Sequence, residues 1–381
     1  MAANQRYVHI VGWGMEVPER RLTNADLERM VETSDEWITT RTGIKERRIA
    51  REGETTATLA LGAARKALQK AGVSPADLDL IIVASATPEH AFPATACLVQ
   101  DALGADRAGA FDLSAACSGF LYGLCLASQA IRTGAIETAL VIGSETLSRI
   151  VDWKDRNTCV LFGDGAGAVV LTARPEPGGV LACTMRADGS GGPLLELPAG
   201  GSRYPTSLET LAHNMHTIKM KGREIFRFAV RVMADAARHV VEEAGLTMDE
   251  VALLIPHQAN RRIIEAAANR LKLPMERVYL NLDRYGNTSS ASIPIALTEA
   301  VEEGRLRPGD HVVMVAFGAG LTWAGVLVQW AELLPVAPPT PRRRLRERTQ
   351  SLVARIRSSW RRTRRYVWGL VRRLRGEPPL S

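Results

Sequence analysis

Three side chains in this 381-residue sequence combine into one chemistry: the thiol of Cys117, the imidazole of His257 and the carboxamide of Asn287. Cys117 sits in the run Ala115-Ala116-Cys117-Ser118-Gly119, directly before an apolar stretch, Phe120 to Arg132, that reads as a helix. A thiol at a helix start meets free backbone N–H groups and the positive end of the dipole, so it is expected as a thiolate. Its small neighbours leave room for a carbonyl to approach. Taken alone, Cys117 also fits an inert, buried packing cysteine. His257 follows the buried strand Leu253-Leu254-Ile255-Pro256, and α/β folds place their chemistry at the carboxyl ends of strands. Asn287 lies in Tyr285-Gly286-Asn287-Thr288-Ser289. A nucleophile that accepts an acyl group, beside two neutral donors for a developing oxyanion, suits carbon–carbon bond formation on thioesters.

What must position them is a duplicated chain. Ala71-Gly72-Val73-Ser74-Pro75 through Ile82 resembles Ala244-Gly245-Leu246-Thr247-Met248 through Ile255, an offset of 245 − 72 = 173. Each copy reads as helix, Gly stop, acidic turn and buried strand. Ala130-Ile131-Arg132-Thr133-Gly134 pairs with Ala300-Val301-Glu302-Glu303-Gly304 at an offset of 304 − 134 = 170. Phe162-Gly163-Asp164-Gly165 pairs with Phe317-Gly318-Ala319-Gly320 at 317 − 162 = 155, so the first copy carries about fifteen extra residues near 144–160. Applied to Cys117, the offset of 170 lands on Asn287, and the two are expected at matching places in the two halves. Alternating helices and strands in each copy argue for α/β layers. The expected organisation is 1–173 carrying Cys117, 174–332 carrying His257 and Asn287, a Pro-rich linker over 333–342, and a basic amphipathic helix over 343–375.

The formal charge of +7 belongs to two different objects. Residues 341–381 hold 14 Arg, no Lys and 2 acidic side chains, or +12, so residues 1–340 carry 7 − 12 = −5. In the basic segment Leu345, Leu352, Val353, Ile356, Trp360, Val367, Leu370, Val371 and Leu374 fall on one helical arc of about 100°. Such a helix suits an anionic membrane surface, with acidic carrier protein or nucleic acid as weaker alternatives. The sequence has no uninterrupted apolar run of about eighteen residues and no charged-then-apolar leader pattern. The five cysteines (97, 117, 125, 159, 183) lack metal-like spacing and are read as free thiols of a reducing cytoplasm.

Nine short segments, in order, make the chain resemble the β-ketoacyl-acyl-carrier-protein synthase III family of the thiolase superfamily over about residues 7–331. They are Thr33-Ser34-Asp35-Glu36-Trp37-Ile38, Arg41-Thr42-Gly43-Ile44, His90-Ala91-Phe92-Pro93, Cys117, Phe162-Gly163-Asp164-Gly165-Ala166-Gly167, Thr217-Ile218-Lys219-Met220, His257-Gln258-Ala259-Asn260, Gly286-Asn287-Thr288-Ser289 and Phe317-Gly318-Ala319-Gly320. The resemblance implies a five-layer α-β-α-β-α sandwich of two mixed five-stranded sheets, working as a homodimer. It implies Cys-His-Asn catalysis with Cys117, His257 and Asn287, and an oxyanion hole from the backbone of Cys117 and Ala319. Acyl-CoA is then a substrate, contacted by Trp37, Arg41, Arg156, Gly222 and Asn260, and no metal or other cofactor is needed. Phe92 would border the acyl pocket. Arg227, Arg262 and Arg270 would dock acyl carrier protein, and nucleic acid is set aside as a partner.

The activity so implied is decarboxylative condensation of an acyl-CoA primer with malonyl-acyl-carrier protein, the opening step of fatty acid synthesis. Two readings compete with it: a paralogue that joins long acyl chains or serves secondary metabolism, and a non-catalytic scaffold acting through the tail. A scaffold has no need of Cys117, His257 and Asn287 together.

Overall fold

The computed structural model describes residues 6–331 together with Trp360 and Thr363. The expected linker over 333–342 lies outside the described residues, as does the helix over 343–375 apart from those two positions. Nine strands build the two main sheets: β1 (Tyr7–Glu16), β2 (Leu80–Ala84), β3 (Gly109–Leu113), β4 (Thr138–Thr146), β5 (Asp164–Arg174), β6 (Gly179–Ala187), β7 (Val251–Pro256), β8 (His311–Gly318) and β9 (Thr322–Gln329). The first sheet runs β1-β5-β4-β2-β3 and the second β7-β8-β9-β6. Read from the other edge, the second order is β6-β9-β8-β7, which repeats the first strand for strand. Directions repeat as well: β2 is parallel to β4 as β7 is to β8, and β4 is antiparallel to β5 as β8 is to β9. The chain leaves the first sheet at Arg174 and enters the second at Gly179.

One strand of the expected second five is missing as a strand. Its place beside β7 is held by a single parallel bridge, Leu254 to Val278. A 3₁₀ turn at Met275–Arg277 and a helical turn at Leu282–Tyr285 leave too few residues between them for a ladder. The buried side chain of Gln258 takes over the pairing. Its Nε2 donates to the carbonyls of Pro256 (2.8 Å) and Tyr279 (3.1 Å), and its Oε1 accepts from the Asn281 N–H (3.1 Å).

Six helices matter for the site: α1 (Asp35–Thr42), α2 (Thr56–Ala71), α3 (Gly119–Arg132), α4 (Gly222–Glu243), α5 (Arg261–Leu271) and α6 (Ser292–Glu302). The central layer is α3 and α6, packed between the sheets with Phe120, Leu121, Leu124, Ile293, Ala296 and Leu297 in one apolar cluster with residues of both. Each of the Phe, Leu and Ile side chains among these contributes roughly 1.5–3 kcal/mol when fully buried. The outer layers are α2 on the first sheet and α4 with α5 on the second. Together these give the expected five layers. Close approach of α3 to its sheet depends on glycine: a Cβ at Gly119 would lie 3.0 Å from Ala84 Cβ, and one at Gly123 3.1 Å from Val141 Cγ1. In α6, Pro294 is tolerated because it falls in the first turn, where backbone N–H groups have no helical partner. The extra segment of the first half is residues 147–163, which join β4 to β5 where only 319–321 join β8 to β9. No helix of the described residues is long and apolar enough to cross a membrane.

Candidate active site

Both central helices begin in the same unusual way. A one-turn 3₁₀ helix precedes each, Ala116–Ser118 before α3 and Ser289–Ala291 before α6. In each its first residue is a non-glycine held at positive φ, 46° at Ala116 and 48° at Ser289. Such conformations cost on the order of 1–3 kcal/mol and persist where surrounding packing dictates them. These two residues are register mates, at 289 − 116 = 173. The structural counterpart of Cys117 is therefore Ser290, and the expectation that Asn287 matches it is corrected. The offset of 170 holds only at the helix ends, because α6 has 11 residues against 14 in α3.

Each turn presses on a glycine of the opposite half. A Cβ on Gly318 of β8 would stand 2.8 Å from the Cys117 nitrogen, and one on Gly143 of β4 2.2 Å from the Ser290 carbonyl oxygen. The seam of the two halves is thereby built around Cys117 and Ser290. Ser118 Oγ adds a further tie across it, 2.6 Å from Thr322 Oγ1.

His257 and Asn287 reach the same seam. The His257 N–H donates to the Val315 carbonyl at 2.8 Å, so the β7–β8 ladder continues one residue past Pro256. Its ring stands edge-on to Phe317, 5.4 Å between centroids, and Phe317 is next to the Gly318 that abuts Cys117. Nδ1 lies 2.6 Å from Ser292 Oγ, while Nε2 is buried with no protein partner. The Gln258 N–H points its hydrogen at Ser292 Oγ (3.5 Å), and the hydroxyl keeps its own hydrogen to donate. When that hydrogen goes to Nδ1, the ring proton sits on Nε2. Burial depresses the imidazole to about 3, so it is neutral at ordinary pH. Asn287 accepts from the Ser289 N–H through Oδ1 at 2.8 Å, which fixes the amide and directs Nδ2 away as a donor. Its backbone is anchored to the extra segment by the Leu161 carbonyl and the Gly163 N–H.

Cys117 departs from expectation. It is buried, and burial pushes the thiol up to about 12; the Ser289 hydroxyl pulls it down, and Glu145 adds to the rise. The helix end does not outweigh desolvation, so the resting group is a thiol rather than a thiolate. Among the other cysteines, 125 and 159 are buried and 183 is half-buried, but Cys97 is exposed rather than packed. Ala319 follows Gly318 and is half-buried, its carbonyl accepting from Thr322 Oγ1 at 3.1 Å.

The remaining expected contacts divide. Trp37 on α1 carries two guanidinium groups, Arg41 at 5.1 Å and Arg156 at 5.3 Å from its ring centre. Arg156 also donates to the Glu32 carbonyl at 3.1 Å. Asn260 caps α5 through Oδ1 and donates from Nδ2 to the Arg41 carbonyl at 3.0 Å, joining two of the expected binding residues. Gly222 is exposed at the start of α4 with no crowding at its Cβ. Phe92 is 86% exposed. Arg227 and Arg262 are exposed on α4 and α5, Arg262 lying over Phe226; Arg270 is tied to Asp235 at 3.5 Å. The sequence reading missed Arg223 and Arg231, exposed one turn either side of Arg227, although their spacing of four was there to be seen.

A duplicated five-layer α/β sandwich that closes on a buried thiol, a neutral imidazole and a carboxamide defines a thiolase-like condensing enzyme. Family models for 3-oxoacyl-acyl-carrier-protein (ACP) synthase III match residues 111–189, and for its C-terminal part residues 241–330. The β-ketoacyl-acyl-carrier-protein synthase III of Symbiobacterium thermophilum is 60% identical over 325 residues, covering 85% of this chain and 98% of that protein. That of Roseiflexus sp. (strain RS-1) is 56% identical over 324 residues, with the same coverage of both. The crystal structure of 3-oxoacyl-acyl-carrier-protein synthase III from Aquifex aeolicus VF5 superimposes with a TM-score of 0.80 at 53% identity, covering 85% of this chain and all of that one. The chain belongs to the 3-oxoacyl-acyl-carrier-protein synthase III family.

Proposed function

We propose that this acyltransferase joins an acyl-CoA primer to malonyl-acyl-carrier protein through Cys117, with loss of CO2, to start fatty acid synthesis. The observation that carries the residue assignment is the convergence at one seam of Cys117, of a neutral His257 with Nε2 unpartnered, and of Asn287 with its amide oriented by Ser289. In the first half-reaction the sulfur of Cys117 bonds to the acyl carbon and the carbon–sulfur bond to CoA breaks. The thiol proton leaves with CoA, so no base need retain it. Backbone N–H groups of Cys117 and Ala319 hold the carbonyl oxygen as it gains charge. In the second, His257 Nε2–H and Asn287 Nδ2–H donate to the malonyl thioester oxygen. The bond to the carboxylate breaks, CO2 departs, and the resulting enolate carbon attacks the acyl-cysteine. The sulfur leaves as thiolate and takes up a proton. Decarboxylation supplies the driving force, and the reaction draws on no metal or redox cofactor.

Trp37, Arg41 and Arg156 form a stacked surface for a nucleotide base and phosphates, with Asn260 and Gly222 toward the pantetheine arm. An acidic carrier protein would dock on Arg223, Arg227, Arg231 and Arg262, with Arg270 at its margin. A second copy would pair on β3, an edge strand whose Phe111 is 40% exposed. The place of action is the cytoplasm, with the basic tail holding the enzyme at an anionic membrane surface. Intact-mass analysis after incubation with a panel of acyl-CoAs tests the assignment. One acyl adduct is expected on the wild type and none on Cys117→Ala; an adduct that survives the substitution overturns it.

A further inference from the structure

Against Ser290, the counterpart of the nucleophile, lies a carboxyl group that the mechanism above does not use. Glu145, in β4, is fully buried, and among the described residues no Arg, Lys or His forms an ion pair with it. Its Oε2 is crowded by donors: Thr87 Oγ1 at 2.7 Å, the Ala86 N–H at 3.0 Å and Ser85 Oγ at 3.2 Å. Its Oε1 faces Ser290, the counterpart of Cys117, with the hydroxyl at 2.8 Å and the N–H at 3.4 Å, and shares the Ala86 N–H at 3.2 Å. The Ser290 hydroxyl has one hydrogen but two acceptors at 2.8 Å, Glu145 Oε1 and the Ala84 carbonyl. If Glu145 were ionised, one of those oxygen pairs would have no hydrogen between them. A proton on Oε1 resolves the count, since Oε1–H donates to Ser290 Oγ, whose own hydrogen goes to Ala84.

We propose that Glu145 is a positioning residue held as a neutral carboxylic acid, and that its neutrality keeps the thiolate of Cys117 within reach during acylation. The inference rests on Cys117 being the nucleophile. Burial raises the carboxyl above its ordinary range and outweighs the hydrogen bonds from Thr87, Ser290, Ala86 and Ser289, which pull it down. The titratable group that feels its charge is Cys117, which an anionic Glu145 would push further up. The residues packed on Glu145 from the other elements, Ser85, Ala86, Thr87, Ser289 and Ser290, carry no titratable side chain. Neutrality therefore bears directly on the thiol.

Two experiments decide it without relying on turnover. Infrared spectra of the wild type at pH 7 are expected to show a protonated carboxyl band that Glu145→Gln removes; absence of such a band overturns the proposal. Ser290→Ala deletes the acceptor of the Glu145 proton and favours its ionisation, so iodoacetamide alkylation of Cys117 at pH 8 should slow by about tenfold, the equivalent of one pKa unit. The double variant with Glu145→Gln should recover the rate, because an amide cannot ionise. Were Glu145 already anionic, Ser290→Ala would remove a donor from a carboxylate and alkylation would quicken. An unchanged or faster rate overturns the proposal. Alkylation reports the thiol whether or not it carries acyl groups, so failure here is separable from failure of the intact-mass test.

Discussion

Cys117 and His257 are both held in their neutral forms by burial, and that sets how the site responds to pH. For Cys117 the folded state raises the thiol to about 12 from an ordinary 9. Its alkylation rate should therefore climb through pH 8–10 with no plateau near 9, as stopped-flow measurement would show; a plateau there would mean a solvated thiol. For His257 the sign is opposite. The folded state depresses the imidazole to about 3 from 6.5, so the unfolded chain binds the proton more tightly. Its contribution to stability is full above pH 6.5 and is lost as pH falls toward 3. His257→Gln should flatten that acid limb by a few kcal/mol, measured by denaturant unfolding at pH 7 and pH 4. Asn287→Ala should leave the acyl adduct intact and lower condensation by about 10²–10³-fold, as loss of one oxyanion donor does elsewhere. Residue types made this trio legible in the sequence. Charge state was not, because a helix N-terminus can be read from local sequence while desolvation comes from the other half of the molecule.

At the scale of elements, the duplication was visible and its register was partly misread. The repeated Ala-Gly stop gave the correct offset of 173, but a shortened α6 shifted the later matches, and only the paired positive φ of Ala116 and Ser289 restores the alignment. The fifth strand of the second sheet was likewise hidden, since a glutamine side chain replaces backbone pairing and leaves no strand-like pattern. Gln258→Ala should destabilise the protein by roughly 2–3 kcal/mol, because it strands the Asn281 N–H and the Tyr279 carbonyl in a buried place. Chemical denaturation would measure it, and a cost under about 0.5 kcal/mol would mean that the bridge at Val278 suffices by itself. Gly318 offers the complementary test. Alanine there must displace the Cys117 backbone, whose nitrogen lies 2.8 Å from the added Cβ, so acylation should fall more than stability does.

Over the whole molecule, charge separates two tasks. The body carries −5, with a group of exposed arginines on α4 and α5, whereas residues 341–381 gather +12 into one segment. Family comparison accounts for the body alone, since relatives that are covered to 98% of their length match 85% of this chain. The tail must be argued from its own sequence, in which apolar residues recur at helical spacing among fourteen arginines. Each arginine near an anionic bilayer is worth about 1 kcal/mol, so the attachment proposed for the fourteen of the tail is expected to be salt-sensitive. Full-length protein should sediment with phosphatidylglycerol vesicles at low salt and release as salt rises, whereas residues 1–335 should remain in the supernatant with acyl-CoA transfer unchanged. Equal partitioning of the two forms would place the attraction in the body instead. Loss of transfer on truncation would show that the tail serves the site and not the membrane.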